Sequence, residues 1–462
     1  MLRRGIRRID AISLVVGSMI GSGIFIVSAE SARLLGSPGW LLIAWAAAGV
    51  LTLAGALSCA ELAAMLPKAG GQYVFFREAY GPLAGFLFGW SMFLVIQTGT
   101  IAAVAVAFAK FLGVLAPVVS GRALVRVGPL SASPVQLVAI GVIGLLTASN
   151  ATGLRAGTRT QNLFTVAKFA ALLALAGAGL VLGGGPDVAL AQPDFFGPRS
   201  LSGETLSGIG LLVALCAAMV GPLFSQSAWN NVTFAAEEVE DPGRVLPFAL
   251  LVGCLCVTIL YLATNVAYLH ALPFSGIAHA PEDRVGTAAA HALFGPGAAA
   301  AMAAAIMVST FGCVNGLILS GARVGFAMAR DGLFFRPLAR LNAASVPANA
   351  LWLQALWAGV LVLTGTYSQL LKYVISADIV LYILLVGAVI ALRRKRPEWP
   401  RPFRAPAYPW LQLLYCAAAS ILAASLLLGN FRTAWPGFAV LLTGVPVYLW
   451  WHRRAPSAGP PP

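Results

Sequence analysis

The chain has 462 residues, of which 59% are hydrophobic and 10% are charged, and its formal net charge is +14. Soluble domains carry roughly 25% charged residues, so this composition excludes a water-soluble globular protein. The basic residues lie mostly in short connections between long apolar runs. That placement is typical of cytoplasmic loops in membrane proteins, so we expect no nucleic-acid partner.

Apolar runs recur along the whole chain and predict an all-α integral membrane protein with about twelve transmembrane helices. About 20 apolar residues in a helix cross a hydrocarbon core of about 30 Å. The predicted spans cover residues 10–32, 39–65, 82–116, 131–149, 161–184, 205–235, 246–270, 297–326, 347–366, 370–392, 407–429 and 434–451. The first run has no small-residue cleavage site, so it predicts a retained span and not a signal peptide.

Lysine and arginine are concentrated in alternate connections, and the largest basic run lies at residues 393–404. Under the positive-inside rule, both termini are then cytoplasmic. The alanine, glycine and arginine content favours the inner (plasma) membrane of a bacterium. All six cysteines fall inside apolar runs, and His270 and His291 lack a paired ligand spacing. We therefore expect no disulfide, no metal site and no cofactor.

Spans 1 and 6 both carry helix-weakening residues at their centres, at residues 17–23 and 221–227. Glycine, which occurs in both segments, is a poor helix former. An odd number of spans separates the two starts, so the segments cross the membrane in opposite directions. Interrupted spans at matching positions of two halves indicate inverted repeats. Close helix packing at Gly17, Gly21 and Gly23 stays open as a second interpretation.

The repeat pattern predicts the domain organisation. The core covers residues 1–404, with two inverted five-helix repeats at about 9–184 and 205–393 and a cytoplasmic basic loop at 393–406. Two further transmembrane helices follow at residues 407–452, and residues 453–462 form a cytoplasmic tail.

Breaks in two antiparallel spans would bring both kinds of helix end to the middle of the membrane. The outer half of span 1 presents first-turn N–H groups near Gly21, Ser22 and Gly23, which suit a carboxylate. The outer half of span 6 ends near Phe224 and Ser225, where carbonyl oxygens suit an ammonium group. Exposed backbone is tolerated in a membrane only where it lines a cavity. The pattern therefore predicts a site for an α-amino acid.

The chain also contains a series of specific short motifs. They are GSMIGSGIF at residues 17–25, LGSPG at 35–39, AEL at 60–62, KAGGQY at 68–73, WN at 229–230, EEVEDPGR at 237–244, FGCVNG at 311–316 and AR at 322–323. Together they resemble the L-type amino acid transporters, a family of the amino acid, polyamine and organocation superfamily. The resemblance extends from about residue 5 to residue 404.

This resemblance implies a five-plus-five inverted-repeat fold in which discontinuous spans 1 and 6 hold the substrate. It implies carboxylate recognition by Gly21, Ser22 and Gly23. Backbone recognition of the amine falls at Met19, Phe224 and Ser227, and Phe224 stands where the family has an aromatic lid. The complete predicted substrate site comprises Ser18, Met19, Ile20, Gly21, Ser22, Gly23, Phe224, Ser225, Gln226, Ser227 and Ala228.

The sequence departs from the family pattern in two places. Ser227 and Ala228 replace a common glycine pair, and Gln226 replaces a frequent aromatic residue. The added side chains predict a small pocket and small substrates. Animal members are disulfide-linked to a single-span glycoprotein through a cysteine between spans 3 and 4. Residues 117–130 contain no cysteine, so we expect no such subunit.

Two sets of charged residues are further candidates. Lys168 lies about eight residues into span 5, near mid-membrane, where a charge is costly and often functional. In sodium-coupled relatives of this fold an ion bridges span 1 and another helix, and the resemblance places the Lys168 ammonium where it could replace that ion. Glu237, Glu238 and Arg244, after span 6, predict a cytoplasmic gate. A solvated helix end is the alternative.

These observations predict a sodium-independent secondary transporter, an exchanger or proton-linked carrier, of neutral and small L-amino acids that works by alternating access. An amine or polyamine transporter of the same superfamily is an alternative. A membrane-embedded enzyme is disfavoured because neither an H-E-x-x-H nor a G-x-S-x-G motif occurs. The expected partners are the amino acid and the lipid bilayer.

Overall fold

A computed structural model describes residues 4–120, 125–127, 130–200, 203–295, 297–364, 367–429 and 431–454. Eight helices are long and apolar enough to cross a membrane, and a bent pair at the start of the chain makes a ninth span. Three more helices, which are shorter, less apolar or partly undescribed, complete the predicted twelve. The chain is therefore a multi-pass membrane protein, and the predicted fold class is confirmed.

The spans follow one another with short connections. In chain order they are Arg8–Met19 with Gly23–Leu35, Pro38–Met65, Pro82–Leu115, Pro134–Ala151, Leu154–Leu182, Gly208–Ser225 with Asn231–Phe234, Pro242–Ala271, Ala298–Arg330, Ala348–Thr364, Tyr367–Lys395, Trp410–Gly429 and Phe431–Arg454. The first two residues of the predicted tail at 453–462 belong to span 12, and residues 455–462 lie outside the described residues.

Short elements occupy some of the connections. Helix Gln72–Tyr80 lies between spans 2 and 3, and helices Phe274–Ala278 and Val285–Phe294 lie between spans 7 and 8. Strands Val125–Val127 and Leu130–Ala132 pair antiparallel between spans 3 and 4. The membrane core is thus helical, and strands in the described residues are confined to a loop.

Span 1 is broken where the sequence predicts. Its two halves meet at an angle of 41°, and Ile20 leaves the helical conformation with φ −75° and ψ 96°. The glycines also pack closely, as the second interpretation proposes. A Cβ on Gly17 would lie 2.0 Å from Gln161 Nε2, and one on Gly21 would lie 3.1 Å from Cys313 Sγ. Helix interruption and close packing therefore coexist in this segment.

Span 6 is broken at the C-terminal end of residues 221–227 and not at their centre. The helix runs to Ser225 and resumes at Asn231. The helix is interrupted at Met219, between Gly208–Ala218 and the short helix Val220–Ser225; Pro222 lies in the first turn of that short helix, where a proline is tolerated. The chain turns instead at Ala228, whose φ of 64° is left-handed.

The broken spans lie inside a layer formed by the long spans. Span 7 packs against spans 2 and 5, and span 8 packs against spans 3 and 5. Near the basic loop, the buried carboxylate of Glu61 in span 2 accepts hydrogen bonds from Arg393 at 2.6 and 2.8 Å and from the backbone N–H of Ala405 at 2.7 Å. Part of the basic loop at 393–406 is therefore docked onto the helices.

Candidate functional site

The carbonyl oxygens at the break in span 1 are contacted by a lysine. The Lys168 ammonium on span 5 donates hydrogen bonds to the carbonyl oxygens of Gly17 and Ile20, the latter at 2.8 Å. It also lies 3.4 Å from the carbonyl oxygen of Ser309 on span 8. Lys168 is 1% exposed, so backbone oxygens replace water around its charge. Where the helix loses its own hydrogen bonds, a cation from a neighbouring span takes their place.

Three other side chains donate hydrogen bonds to carbonyl oxygens at the same break. The Tyr261 hydroxyl on span 7 donates to the carbonyl oxygen of Met19 at 3.0 Å and lies 3.3 Å from that of Ser225 on span 6. Ser309 Oγ donates to the Gly21 oxygen at 3.2 Å, and Cys313 Sγ donates to the Ser18 oxygen at 3.1 Å. Donors from spans 5, 7 and 8 thus surround the break.

The other face of the break presents the start of a helix. The second half of span 1 begins at Gly23 after the N-cap residue Ser22. The N–H of Phe25 donates to the Ser22 oxygen at 3.1 Å, and the first N–H groups of a helix have no partner one turn earlier. A Cβ on Gly23 would lie 2.1 Å from Ser225 Oγ. The predicted carboxylate position therefore lies where span 1 touches span 6 most closely.

The break in span 6 is closed largely by its own residues. The carbonyl oxygen of Phe224 accepts from the N–H of Ser227 at 3.1 Å and from its hydroxyl at 2.7 Å. Ser225 Oγ donates to the Gly221 oxygen at 2.9 Å. Phe224 is buried. Span 6 thus brings the predicted residues Phe224 and Ser227 into one tight turn.

Gln226 points away from that turn. Its Nε2 donates to the carbonyl oxygen of Trp45 on span 2 at 3.3 Å, and its Oε1 accepts from the Thr258 hydroxyl on span 7 at 3.1 Å. The side chain holds span 6 against its neighbours. Gln226 still lines a cavity that it shares with Ser227 and Asp378, and Ser227 and Ala228 line a second, adjoining cavity.

The predicted gate residues separate into two groups. Glu238 forms a buried ion pair with Arg323 on span 8, with N···O distances of 2.8 and 3.1 Å. Glu237 pairs with Arg330 at 3.2 Å near the end of the same span. Arg244 is exposed, and its nearest acidic group is Asp241 at 4.0 Å. The structure places Glu237 and Glu238 against span 8 and leaves Arg244 outside that network.

The N-terminal segment closes over these acids. The N–H groups of Gly5 and Ile6 donate to the carbonyl oxygen of Glu238 at 2.9 and 3.0 Å, and the N–H of Glu240 donates to the Ile6 oxygen at 3.0 Å. Ile6 is fully buried. Backbone hydrogen bonds therefore join the segment around Ile6 to the segment that follows span 6.

Comparison with known proteins identifies the family of the chain. A family profile described as amino acid permease matches residues 6–448. The chain belongs to the amino acid permease family. The large neutral amino acids transporter small subunit 2 of Rattus norvegicus is 32% identical over 465 aligned positions, covering 98% of this permease and 82% of that protein. The serine/threonine exchanger SteT of Bacillus subtilis is 30% identical over 461 positions, covering 99% and 98% of the two chains. The Asc-type amino acid transporter 1 of Homo sapiens is 29% identical over 465 positions, covering 98% and 84%.

Three residues outside the predicted site also lie beside it. Tyr261 joins the two breaks, Arg323 neutralises Glu238, and Asp378 on span 10 lines the cavity beside Ser227. Arg323 and Asp378 are ionisable groups inside predicted spans, which is itself a signal of function. Tyr261 carries no such signal, because a tyrosine in an apolar run is indistinguishable from packing. Among the described residues, no cluster of three metal-ligating side chains occurs.

Proposed function

We propose that this permease is a secondary transporter of small neutral L-amino acids that exchanges them across a bacterial inner membrane by alternating access. The observation that carries the proposal is the paired break. A helix start near Gly23 suits the carboxylate of an α-amino acid, and a helix end near Phe224 and Ser225 suits its ammonium group. Amines and polyamines lack the carboxylate, so they use only half of this arrangement.

The proposal that the substrate is small rests on the turn in span 6. Ser227 and Ala228 carry side chains at positions where related transporters commonly have glycine, and both line the adjoining cavity. One relative supports the assignment, because it is named a serine/threonine exchanger. Alanine, serine and glycine are therefore the expected substrates, and tryptophan and phenylalanine are excluded.

We infer sodium independence from Lys168. Its ammonium already occupies the space between the carbonyl oxygens of span 1 and span 8, where a bound cation would have to lie. A tethered charge cannot leave with the substrate, so no sodium ion enters the cycle. In this proposal both termini are cytoplasmic, Glu237 and Glu238 hold the inner gate, and the protein performs no covalent chemistry and needs no disulfide-linked subunit.

The deciding experiment is uptake into proteoliposomes. The purified protein is reconstituted with or without internal alanine, and uptake of a panel of labelled amino acids is measured in sodium or choline buffer. We expect uptake of alanine and serine that is accelerated by internal alanine and unchanged by choline. Preferred uptake of a polyamine, or of tryptophan, would contradict the proposal.

A further inference from the structure

Span 10 carries an acidic side chain into the interior of the protein. Asp378 is 6% exposed and lines a cavity that we call the Asp378 cavity. Its other polar lining residues are Gln97, Thr100, Ser227, Asn230, Asn231 and Tyr382. Ser227 and Ala228, from the turn of span 6, form part of the same wall. The cavity is therefore continuous with the backbone proposed to hold the amino group of the substrate.

The opposite wall has an unusual backbone. Met92 and Ile96 of span 3 face the cavity, and they begin and end a π-helical turn inside that span. Such turns widen a helix locally and occur frequently at functional sites. Spans 3, 6 and 10 thus all present irregular or polar features to one small space.

Asp378 has hydrogen-bonding capacity left over. The Tyr382 hydroxyl is its side-chain hydrogen-bond partner, and that hydroxyl also lies 3.4 Å from Asn230 Oδ1. An ionised carboxylate offers about four acceptor positions. Among the described side chains, no lysine or arginine forms an ion pair with Asp378, whereas Glu61, Glu237 and Glu238 each have one. Among the described residues, Asp378 is therefore a buried acid without an ion-pair partner.

We propose that Asp378 forms a subsite for a cationic group on the substrate side chain, so that small L-diamino acids such as L-2,4-diaminobutyrate are a further substrate class. This inference rests on the proposed function for the binding of the α-amino and α-carboxyl groups. A buried carboxylate without a partner is costly, and a ligand ammonium supplies both the opposite charge and the missing hydrogen-bond donors. The short side chain matches the position of the cavity directly beside the turn of span 6.

Three ligands of nearly equal size test the subsite. L-2-aminobutyrate ends in a methyl group, L-homoserine in a hydroxyl and L-2,4-diaminobutyrate in an ammonium group. Each competes with labelled alanine for uptake by the unmodified protein in proteoliposomes. We expect L-2,4-diaminobutyrate to inhibit with an inhibition constant about tenfold lower than that of L-2-aminobutyrate, because hydrogen bonds to charged groups are the stronger ones. Homoserine as the best inhibitor, or equal inhibition by all three, would overturn the proposal.

The variant Asp378→Asn tests whether the preference for L-2,4-diaminobutyrate depends on the negative charge of Asp378 and not on its shape. Asparagine keeps the size of the side chain and an oxygen for Tyr382 but removes the negative charge. The advantage of L-2,4-diaminobutyrate over L-2-aminobutyrate should then disappear. Asp187→Asn is the matched control, because Asp187 lies in an exposed connection and its loss changes the net charge equally. It should keep the tenfold preference. A preference that survives Asp378→Asn contradicts the proposal.

Binding to the detergent-purified protein keeps the two proposals distinguishable. A ligand that binds the folded state raises the unfolding temperature, so the three ligands can be ranked by thermal shift without any transport. If the protein transports neutral amino acids but shows no preference for L-2,4-diaminobutyrate, the subsite proposal alone is contradicted. A thermal shift by L-2,4-diaminobutyrate in a protein that transports no neutral amino acid defeats the proposed function and supports the subsite.

Discussion

Spans 1 and 6 are both broken helices, but the two breaks are stabilised differently. The carbonyl oxygens of span 1 are contacted by Lys168, Tyr261 and Ser309, which come from three other spans. Span 6 closes most of its turn locally, with Ser227 bonded to Phe224 and Asn231 bonded to Ala228. Span 1 is thus held by its surroundings and span 6 largely by itself. We expect substitutions around span 1 to be the more damaging.

The largest effect is expected where the two breaks touch. Gly23→Val places a branched side chain where even a Cβ would lie 2.1 Å from Ser225 Oγ, so the variant should abolish alanine uptake while the protein still elutes as a monodisperse peak. Gly144→Val is the control, since nothing lies within 4 Å of a Cβ there. Uptake by Gly23→Val near the wild-type rate would show that this contact is not part of the site.

Removal of the lysine tests whether span 1 depends on its neighbours. Lys168→Ala leaves the carbonyl oxygens of Gly17 and Ile20 buried without their donor, and each unsatisfied buried acceptor costs about 1–3 kcal/mol. Uptake should fall more than about 100-fold. Lys110→Ala, which removes an exposed lysine of span 3, is the control and should leave uptake nearly unchanged. Strict sodium dependence of the unmodified protein would remove Lys168 from the proposed role.

The end of span 6 should show an intermediate effect. Glu238→Gln leaves Arg323 charged and buried, which should lower the free energy of unfolding by about 3 kcal/mol. The measurement is thermal unfolding of the purified variant, with Arg244→Gln as a control that should change it by less than about 0.5 kcal/mol. Equal shifts for the two variants would contradict the special position of Glu238.

The smallest effect is expected in the turn of span 6 itself. Ala228 adopts a left-handed φ of 64°, which glycine adopts without strain. Ser227→Gly combined with Ala228→Gly should therefore fold normally, change stability by no more than about 1 kcal/mol and admit larger substrates. Competition by phenylalanine against alanine uptake is the measurement. An unchanged substrate range would mean that other walls limit the pocket.

The sequence predicts the spans and both broken helices, because glycine-rich or proline-containing centres in apolar runs are local features. It does not predict where span 6 resumes as a helix, since that depends on the left-handed turn at Ala228. Gln226 adjoins the predicted site in sequence, but its hydrogen bonds go to Trp45 and Thr258. The partner of Glu238 lies 85 residues away in the chain. Local patterns therefore locate the breaks, and contacts between distant spans decide what holds them.

The backbone pairing of Ile6 with the segment after span 6 ties the residues before span 1 to the end of span 6. Three backbone hydrogen bonds join the Gly5–Ile6 segment to Glu238 and Glu240. At about 1 kcal/mol each, they limit the state in which all three are broken to about one molecule in a hundred. A protein fused directly before Arg4 would put force on these three hydrogen bonds. We expect such a fusion to shift the population that is open to the cytoplasm, so a fluorescent reporter at this end would report gating as well as expression.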